Sequence, residues 1–307
     1  MDDYDVYAFG VIASSTLYLV EDRYPDRGGY AEIVKKYKNV GGEAANTSLV
    51  LSRLGLSVKL DGNWLNPDDD ADFLSDLFSK YDVDISRLSF RTCQGPKEML
   101  VVDSDSRTIF GTYAQLHEEQ SWNVPERSDI AHARIVCLDS FFGEASRQVA
   151  DYAKELDKPI VTVDCSFDSP LLSTADIAII SEEFLGYTYP GQSTASVTSQ
   201  YLANSGGTVI FTFGHKEITF GSSDEGVKRI TPYAITPLDT TGAGDSFRAG
   251  IIFGLLQNWL IEKAIRYASA LAAIVCQSSP GVLNSPGHAD VVAFLRDRES
   301  IEDWAWE

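Results

Sequence analysis

The chain has 307 residues, 44% of them hydrophobic and 23% charged, which is typical of a folded globular protein with a large buried core. Its formal net charge of −20 argues against sequence-independent binding to nucleic acid or to an anionic membrane, since both would repel it. A local cradle of backbone amides can still bind one small anion.

The four cysteines are widely spaced and include no C-x-x-C pair (Cys93, Cys137, Cys165 and Cys276). This pattern predicts reduced, mostly buried thiols rather than a zinc site or a disulfide framework. The N-terminus "MDDYDVYAFG" is acidic and lacks the basic and apolar regions of a signal peptide, and the run "AGIIFGLLQNWLI" is too short to span a bilayer. We therefore expect a soluble, cytoplasmic protein.

In chain order, short β-branched runs alternate with helix-like stretches. The strand "VYAFGVI" comes before the helical pattern "EAANTSLVLSRLG", which stops at Gly55. The strands "ARIVCLD" and "KPIVTVD" flank the helical pattern "EASRQVADYAKELDK", and "ADIAII" and "GTVIFTF" follow. This alternation predicts an α/β fold, a parallel sheet with helices on both faces, in which ligands bind beyond the carboxyl ends of the strands.

Two regions depart from this pattern, residues 16–40 and 91–116, where polar and apolar residues alternate. They read as antiparallel strands, with "DSDSR" as a hairpin turn. We expect them to form a small sheet that covers the site, inserted in a single α/β domain spanning residues 1–307. The acidic stretch at 66–73 is interpreted as a solvated helix N-terminus rather than a calcium loop.

The stretch "PLDTTGAGDSFRAGIIFGLL" contains a glycine turn followed by an apolar helical run. It is not a dinucleotide fingerprint, because Phe247 stands where the third glycine should be, and it is not a Walker loop, because no G-K-[ST] follows. Glycines at a helix start allow an anion to approach unpaired backbone amides. The amides of Gly242, Ala243 and Gly244 would then stabilise a phosphoryl group in transfer.

Asp245 directly follows this anion cradle. A carboxylate there can accept the proton of a hydroxyl that attacks the phosphoryl group, so we predict Asp245 as the general base. A second candidate region is "NVGGEAANTSLVLSRLG", in which Gly41 and Gly42 permit close backbone approach to a ligand. Asn46, one turn into the helix, either binds a polyol hydroxyl or caps and packs.

Together, "DTTGAGDSF" and "GGEAANTSLVLSRLG" resemble the ribokinase-like, or PfkB-type, carbohydrate kinases, and the order of parts agrees along essentially the whole chain. The resemblance implies a three-layer α/β/α core with an antiparallel β lid, and ATP-dependent phosphorylation of a hydroxymethyl group. It implies Asp245 as base, residues 242–245 as anion hole, and substrate contacts at positions 15, 41, 42, 43, 46 and 245.

For the nucleotide, the resemblance implies ATP between the turn near Gly214, after Thr212, and the helix around Ser269, with Gly242 and Gly244 at its phosphates and Ser181 nearby. Mg²⁺ would be carried on the phosphates, with Glu183 as its protein ligand. Asp239 and Thr241 fall where the family holds a monovalent cation such as K⁺. Lids of this family frequently pair, so a homodimer through the lid is expected.

The chain departs from the family pattern at several positions. Ser15 stands where a sugar-gripping aspartate is usual, Glu43 follows the Gly-Gly pair in place of asparagine or lysine, and "SEEF" (181–184) replaces N-x-x-E. Glu217 replaces the last glycine of the nucleotide turn. Glu43 is either an exposed residue favoured by the helix dipole or a contact for hydroxyl donors or a cationic amine, as in an amino sugar or cyclic polyol.

The leading hypothesis is a kinase of a sugar or polyol. Two alternatives stay open, a nucleoside kinase with a base stacked on Tyr18, Tyr24 or Tyr30, and a non-catalytic ligand-binding relative. Arg248 is interpreted either as a contact for a substrate anion or as one partner of a salt bridge on the helix surface.

Overall fold

The computed structural model describes residues 3–104 and 106–299. The strands in chain order are β1 (Tyr4–Gly10), β2 (Ala13–Val20), β3 (Ile33–Gly41), β4 (Val58–Gly62), β5 (Val83–Asp84), β6 (Lys97–Val102), β7 (Arg107–Gly111), β8 (Ala133–Asp139), β9 (Ile160–Val163), β10 (Ile177–Ser181), β11 (Thr208–Thr212), β12 (Ile218–Ser222) and β13 (Gly226–Ile230).

The helices in chain order are α1 (Glu43–Arg53), α2 (Asp69–Lys80), α3 (Ala114–Glu119), α4 (Arg127–Ala131), α5 (Glu144–Glu155), α6 (Pro170–Thr174), α7 (Glu182–Thr188), α8 (Thr194–Asn204), α9 (Ala243–Leu256), α10 (Ile261–Val275) and α11 (His288–Arg296). As predicted from the sequence, α1 stops just before Gly55, which has a left-handed φ of 88°. The acidic stretch also behaves as expected, because Asp68 caps α2 by accepting the amides of Asp70 and Ala71.

The large sheet has the strand order β13-β12-β11-β10-β9-β8-β1-β4-β5. From β5 to β11 all neighbours are parallel, as the alternating pattern predicted, while β12 and β13 add an antiparallel edge. Successive residues of β1 point to opposite faces of the large sheet, and each face has its own hydrophobic core. Val6 and Ala8 pack on the side of α1, α9 and α10, and Tyr7 and Phe9 pack on the side of α5 and α8. The three-layer α/β/α prediction is therefore confirmed.

Residues of the two departing regions form a separate four-stranded sheet, the lid, in the order β3-β2-β6-β7. The hairpins β2–β3 and β6–β7 are antiparallel, but β2 and β6, which join them at the centre of the lid, are parallel, so the prediction of antiparallel strands holds for two of these three pairings. The strand β2 already begins at Ala13. Of the predicted "DSDSR" turn, Asp105 lies outside the described residues.

The four cysteines are free thiols, and three of them, Cys137, Cys165 and Cys276, are buried as predicted. Among the described residues, no helix is both long enough and apolar enough to cross a membrane.

Candidate active site

The glycine turn initiates α9 at the carboxyl edge of the large sheet. Gly242 caps the helix with a left-handed φ of 75°, and a Cβ there would collide with the Val282 side chain. A Cβ at Gly244, in contrast, would meet no atom within 4 Å. The amide of Ala243 already donates to the Thr240 carbonyl at 3.2 Å, so we expect the amides of Gly242 and Gly244 to hold an anion.

Asp245 lies in the first turn of α9 and accepts a hydrogen bond of 2.8 Å from Asn46 Nδ2 to its Oδ2 atom. Burial raises the pKa of Asp245 to about 6, while the Arg248 charge and the Asn46 hydrogen bond oppose the rise. The carboxylate is thus ionised at neutral pH, yet basic enough to accept a proton. This hydrogen bond joins the Gly-Gly helix motif, which contains Asn46, to the glycine turn, which contains Asp245.

The Gly41–Gly42 pair brings α1 to the same site. Gly42 has a φ of 86°, and a Cβ there would collide with the Val11 carbonyl. This close passage positions Asn46 and Thr47 against the first turn of α9, where Thr47 Oγ1 donates to the Asp245 carbonyl at 3.3 Å. The Oδ1 atom of Asn46 is buried and has no hydrogen-bond partner among the described residues. Such an acceptor is available to a ligand hydroxyl.

Arg248 corrects one prediction from the sequence. Its side chain is completely buried beneath the site rather than lying on the helix surface, so a surface salt bridge is excluded. Its guanidinium donates to Thr47 Oγ1 at 2.9 Å and to the Glu43 carbonyl at 2.6 Å. The third nitrogen, NH1, has no partner in the described part of the chain. Arg248 therefore ties α9 to α1 and supplies the positive charge that the surrounding carboxylates need.

Glu43, which is partly buried, and Asp139, which is fully buried, are neighbouring carboxyl groups close to Asp245. Burial raises the pKa of both, and the charge of Asp139 raises that of Glu43 further. Asp139 ends β8 and accepts the Val11 amide at 2.9 Å, because Gly10 has no Cβ to exclude it. The Glu43 side chain is partly buried, so the option of an exposed helix-start glutamate does not apply.

The lid contributes two charged side chains that the sequence analysis missed. Glu98 of β6 lies against Gly41, where a Cβ would collide with its Oε2 atom, and it accepts a hydrogen bond from the Tyr113 hydroxyl. Arg107 of β7 donates to Thr240 Oγ1 at 3.0 Å and to Glu183 Oε2 at 3.4 Å. The charge of Arg107 also lowers the pKa of Asp245, which indicates that the guanidinium lies near this carboxylate.

The residues expected near ATP lie at the ends of neighbouring strands. Ser181 and Thr212 are register partners at the carboxyl ends of β10 and β11, and Gly214 follows with a φ of 62°. Ser181 caps α7 and donates 2.9 Å to the carboxylate of Asp164, a further residue that the sequence analysis missed. Ser269 is buried in α10.

The candidate cation residues are held in the loop before the glycine turn. Asp239 is buried and accepts the Thr241 amide at 2.9 Å and the Ser279 hydroxyl at 2.8 Å. Thr241 Oγ1 is buried and unpartnered among the described residues. In the described ranges, no three His, Cys, Asp or Glu side chains converge as a metal-binding group.

A buried carboxylate, a glycine turn at a helix start and a separate lid sheet together are the arrangement expected of a phosphotransferase that acts on an alcohol. A family model described as pfkB family carbohydrate kinase matches residues 11–286. The chain belongs to this family and is an ATP-dependent kinase.

Individual relatives match this chain over nearly its whole length, but their names give different phosphate acceptors. The chain is 27% identical to a nucleoside kinase of Methanothermobacter thermautotrophicus, covering 100% of this chain and 98% of the relative. It is 26% identical to an ATP-dependent ribose-1-phosphate kinase of Halopiger xanaduensis, covering 90% and 93%. The structure of Arabidopsis thaliana ribokinase complexed with ribose and ATP superposes with a TM-score of 0.79 at 18% identity, covering 95% and 99%.

Proposed function

We propose that the chain acts as one kinase domain that transfers the γ-phosphoryl group of ATP to a hydroxymethyl group of a sugar or polyol, with Asp245 as the general base. The observation that carries this proposal is the Asp245 carboxylate, with its pKa of about 6, placed one residue after the cradle and fixed by Asn46. Its pKa lies close enough to neutrality for efficient proton acceptance.

In the proposed reaction, Asn46 occupies Oδ2 of Asp245 and leaves Oδ1 to accept the proton of the acceptor hydroxyl. The acceptor oxygen attacks the γ-phosphorus while the bond to the β-phosphate oxygen breaks, and ADP leaves. Amides at Gly242 and Gly244, together with the positive end of α9, stabilise the charge on the equatorial oxygens. Arg107 adds a positive charge from the lid.

ATP would lie along the carboxyl ends of β10 and β11, near Ser181, Thr212, Gly214 and Ser269. When bound, Mg²⁺ would neutralise charge on the phosphates, and Glu183 is a residue of this chain that fits it. A monovalent cation would lie beside Asp239 and Thr241. The unpartnered Thr241 hydroxyl supports such a site, although Asp239 already accepts two hydrogen bonds.

A nucleoside is the second candidate acceptor, favoured by the relative from Methanothermobacter. The lid tyrosines do not favour it. Tyr18 alternates to the face of β2 opposite Ser15 and lies under Lys36, while Tyr24 and Tyr30 are exposed. A non-catalytic relative is disfavoured by the intact glycine turn and base.

A lid-mediated homodimer in the cytoplasm completes the proposal. The lid exposes large apolar side chains that a second lid would cover, among them Ile33, Val34, Met99 and Phe110. Light scattering after size-exclusion chromatography tests this, and a monomer that persists at high concentration would contradict it.

The function is tested by measuring ADP release with MgATP over a panel of sugars, amino sugars, inositols and nucleosides, each with an Asp245→Asn control. We expect acceptor-dependent turnover with at least one sugar or polyol, lost in the control. Turnover restricted to nucleosides would favour the second candidate. Binding without turnover across the whole panel would favour the non-catalytic alternative.

A further inference from the structure

The inner face of the lid carries a polar row directly above the acceptor position. Asn39, Ser15 and Glu98 are register partners on β3, β2 and β6, so their side chains lie on the same face of the sheet. Asn39 and Ser15 are 2% and 1% exposed. The next residues on this face, Leu17 and Leu100, are apolar and buried, so the polar row is confined to the end of the lid nearest α1.

The Glu98 side chain starts on β6 and reaches across β2 toward β3. Its Oε2 atom occupies the space beside Gly41, on the far side of β2, and its carboxylate faces the Gly42 amide. The side chain passes over Ser15, whose single hydroxyl leaves room for it. An aspartate at position 15 would place a second carboxylate in the same space, so the small residue and the long acid are complementary.

Several atoms around this carboxylate are buried without partners among the described residues. They are Ser15 Oγ, Asn39 Oδ1 and Asn46 Oδ1, and the Ser15 hydroxyl faces Glu98 without a hydrogen bond of normal geometry. A buried polar atom without a partner is costly, so the unpartnered oxygens of Asn39 and Asn46, together with the poorly bonded Ser15 hydroxyl, indicate a place that a polyhydroxy ligand fills.

The charge around this place is negative. The Glu98 charge raises the pKa of Asp245, and the charges of Asp139 and Asp245 in turn raise the pKa of Glu43. Arg107 donates to Thr240 and Glu183, and its charge lowers the pKa of Glu98, but the carboxylates here outnumber it; Arg248 donates to Thr47 and the Glu43 carbonyl. A carboxylate accepts hydroxyl hydrogen bonds well but repels an anion at close range.

From these contacts we infer that Glu98 is the acceptor-binding carboxylate, which holds the hydroxyls of a neutral polyhydroxy substrate and discriminates against the same substrate carrying a phosphate. This inference rests on the proposed function. It makes Glu98, rather than a residue of β2, the position that determines acceptor specificity.

The test compares wild type with Glu98→Gln, which keeps the size of the side chain and one oxygen acceptor for Tyr113. The acceptors are ribose and ribose 1-phosphate, which share the same hydroxymethyl group, and the neutral acceptor found most active on the panel. We expect the acceptor KM to rise at least about tenfold in Glu98→Gln, with the KM for ATP unchanged and no loss of stability, because burial raises the pKa of Glu98 and the neutral amide is easier to bury. The preference for ribose over ribose 1-phosphate should shrink.

A matched control is Glu32→Gln, which removes an exposed lid carboxylate. We expect acceptor KM and preference to match wild type in this variant. A second comparison uses Ser15→Asp, in which two carboxylates compete for one space and acceptor affinity falls. The double variant Ser15→Asp/Glu98→Ala should bind the acceptor better than Ser15→Asp alone, a non-additivity that a purely structural role would not produce.

Acceptor binding measured by calorimetry separates this inference from the proposed function. If wild type binds ribose-like acceptors without phosphorylating them and Glu98→Gln loses that binding, the kinase proposal fails and the role of Glu98 stands. If wild type is an active kinase and Glu98→Gln keeps its acceptor KM and its preference, the inference on Glu98 is wrong. If wild type neither binds nor phosphorylates any neutral acceptor, both are wrong.

Discussion

Asn46 and Asp245, 199 positions apart in the sequence, are joined by a hydrogen bond of 2.8 Å from Asn46 Nδ2 to Asp245 Oδ2. The bond connects the first turn of α1 with the first turn of α9, so the helices that we propose bind the acceptor and the phosphate meet at Asp245. It also fixes which carboxylate oxygen is left for the substrate.

The first prediction concerns Asp245→Asn. We expect kcat to fall by roughly 10²–10⁴ with little change in ATP affinity, because the variant cannot accept the proton. In wild type, kcat/KM for the acceptor should decline below about pH 6 as Asp245 becomes protonated. Near-normal turnover in the variant would refute the proposed role of Asp245.

The same variant should be more stable than wild type at pH 8. Because the pKa of Asp245 rises from 3.8 to about 6 on folding, the native state binds the proton more tightly, and wild-type stability falls as pH rises through this range. Removing the charge should therefore add on the order of 1–3 kcal/mol to the free energy of unfolding at pH 8, and much less at pH 4. Urea denaturation at both pH values measures the difference.

The second prediction contrasts two glycines of the same turn. Gly244→Val places its side chain in open space, so we expect a stable protein whose kcat falls by roughly 10²–10³ as the anion is displaced. Gly242→Ala adds a Cβ at a positive φ and against Val282, so its main effect should be a loss of about 1–3 kcal/mol in unfolding free energy. Turnover and denaturation assays on both variants separate the roles, and an active Gly244→Val would place the anion elsewhere.

The third prediction concerns Arg107. Arg107→Gln removes the guanidinium that joins the lid to Thr240 and Glu183, and we expect kcat to fall roughly 10- to 100-fold. Because the Arg107 charge lowers the pKa of Asp245, the acid limb of the pH profile should move to higher pH. The control is Lys97→Gln, which removes an exposed lid cation paired with Asp70 and should change neither quantity. If the acid limb of the pH profile stays in place in Arg107→Gln, the Arg107 charge does not act on Asp245.

The fourth prediction concerns Glu43→Gln. Burial and Asp139 raise the pKa of Glu43, so this carboxyl also costs wild type stability as pH rises, and the variant should be more stable at pH 8. If a hydroxyl or amine of the preferred acceptor contacts Glu43, activity toward that acceptor should fall while other acceptors are affected less. An unchanged ranking of the acceptor panel would show that Glu43 does not select the substrate.

The sequence was sufficient to predict the parts of the site that depend on local backbone geometry. The glycine turns at residues 41–42 and 242–244 could be recognised because only glycine permits such close approach. Asp139 and Asp164 also carried a signal, since Asp139 ends the buried strand β8 and Asp164 directly follows the buried strand β9, both at the carboxyl edge of the sheet.

Glu98, Arg107 and the burial of Arg248 could not be predicted in the same way. The position of Glu98 over Ser15 depends on the parallel register of β2 with β6, which no local pattern specifies. Arg248 is charged, and such residues are almost never fully buried unless paired. Its partners, Thr47 and the Glu43 carbonyl, come from a helix that is distant in sequence.

The parallel pairing of β2 with β6 has a consequence for the order of folding. Each hairpin of the lid is local, but the two are separated in the chain by α1, β4, α2 and β5 of the core. Pairing β2 with β6 therefore closes a long loop, which costs conformational entropy. When the core assembles around β1 and β4, it brings the two hairpins closer together and so lowers the entropy cost of pairing them. The lid should therefore complete late, and its central amides should gain protection from hydrogen exchange after those of β1.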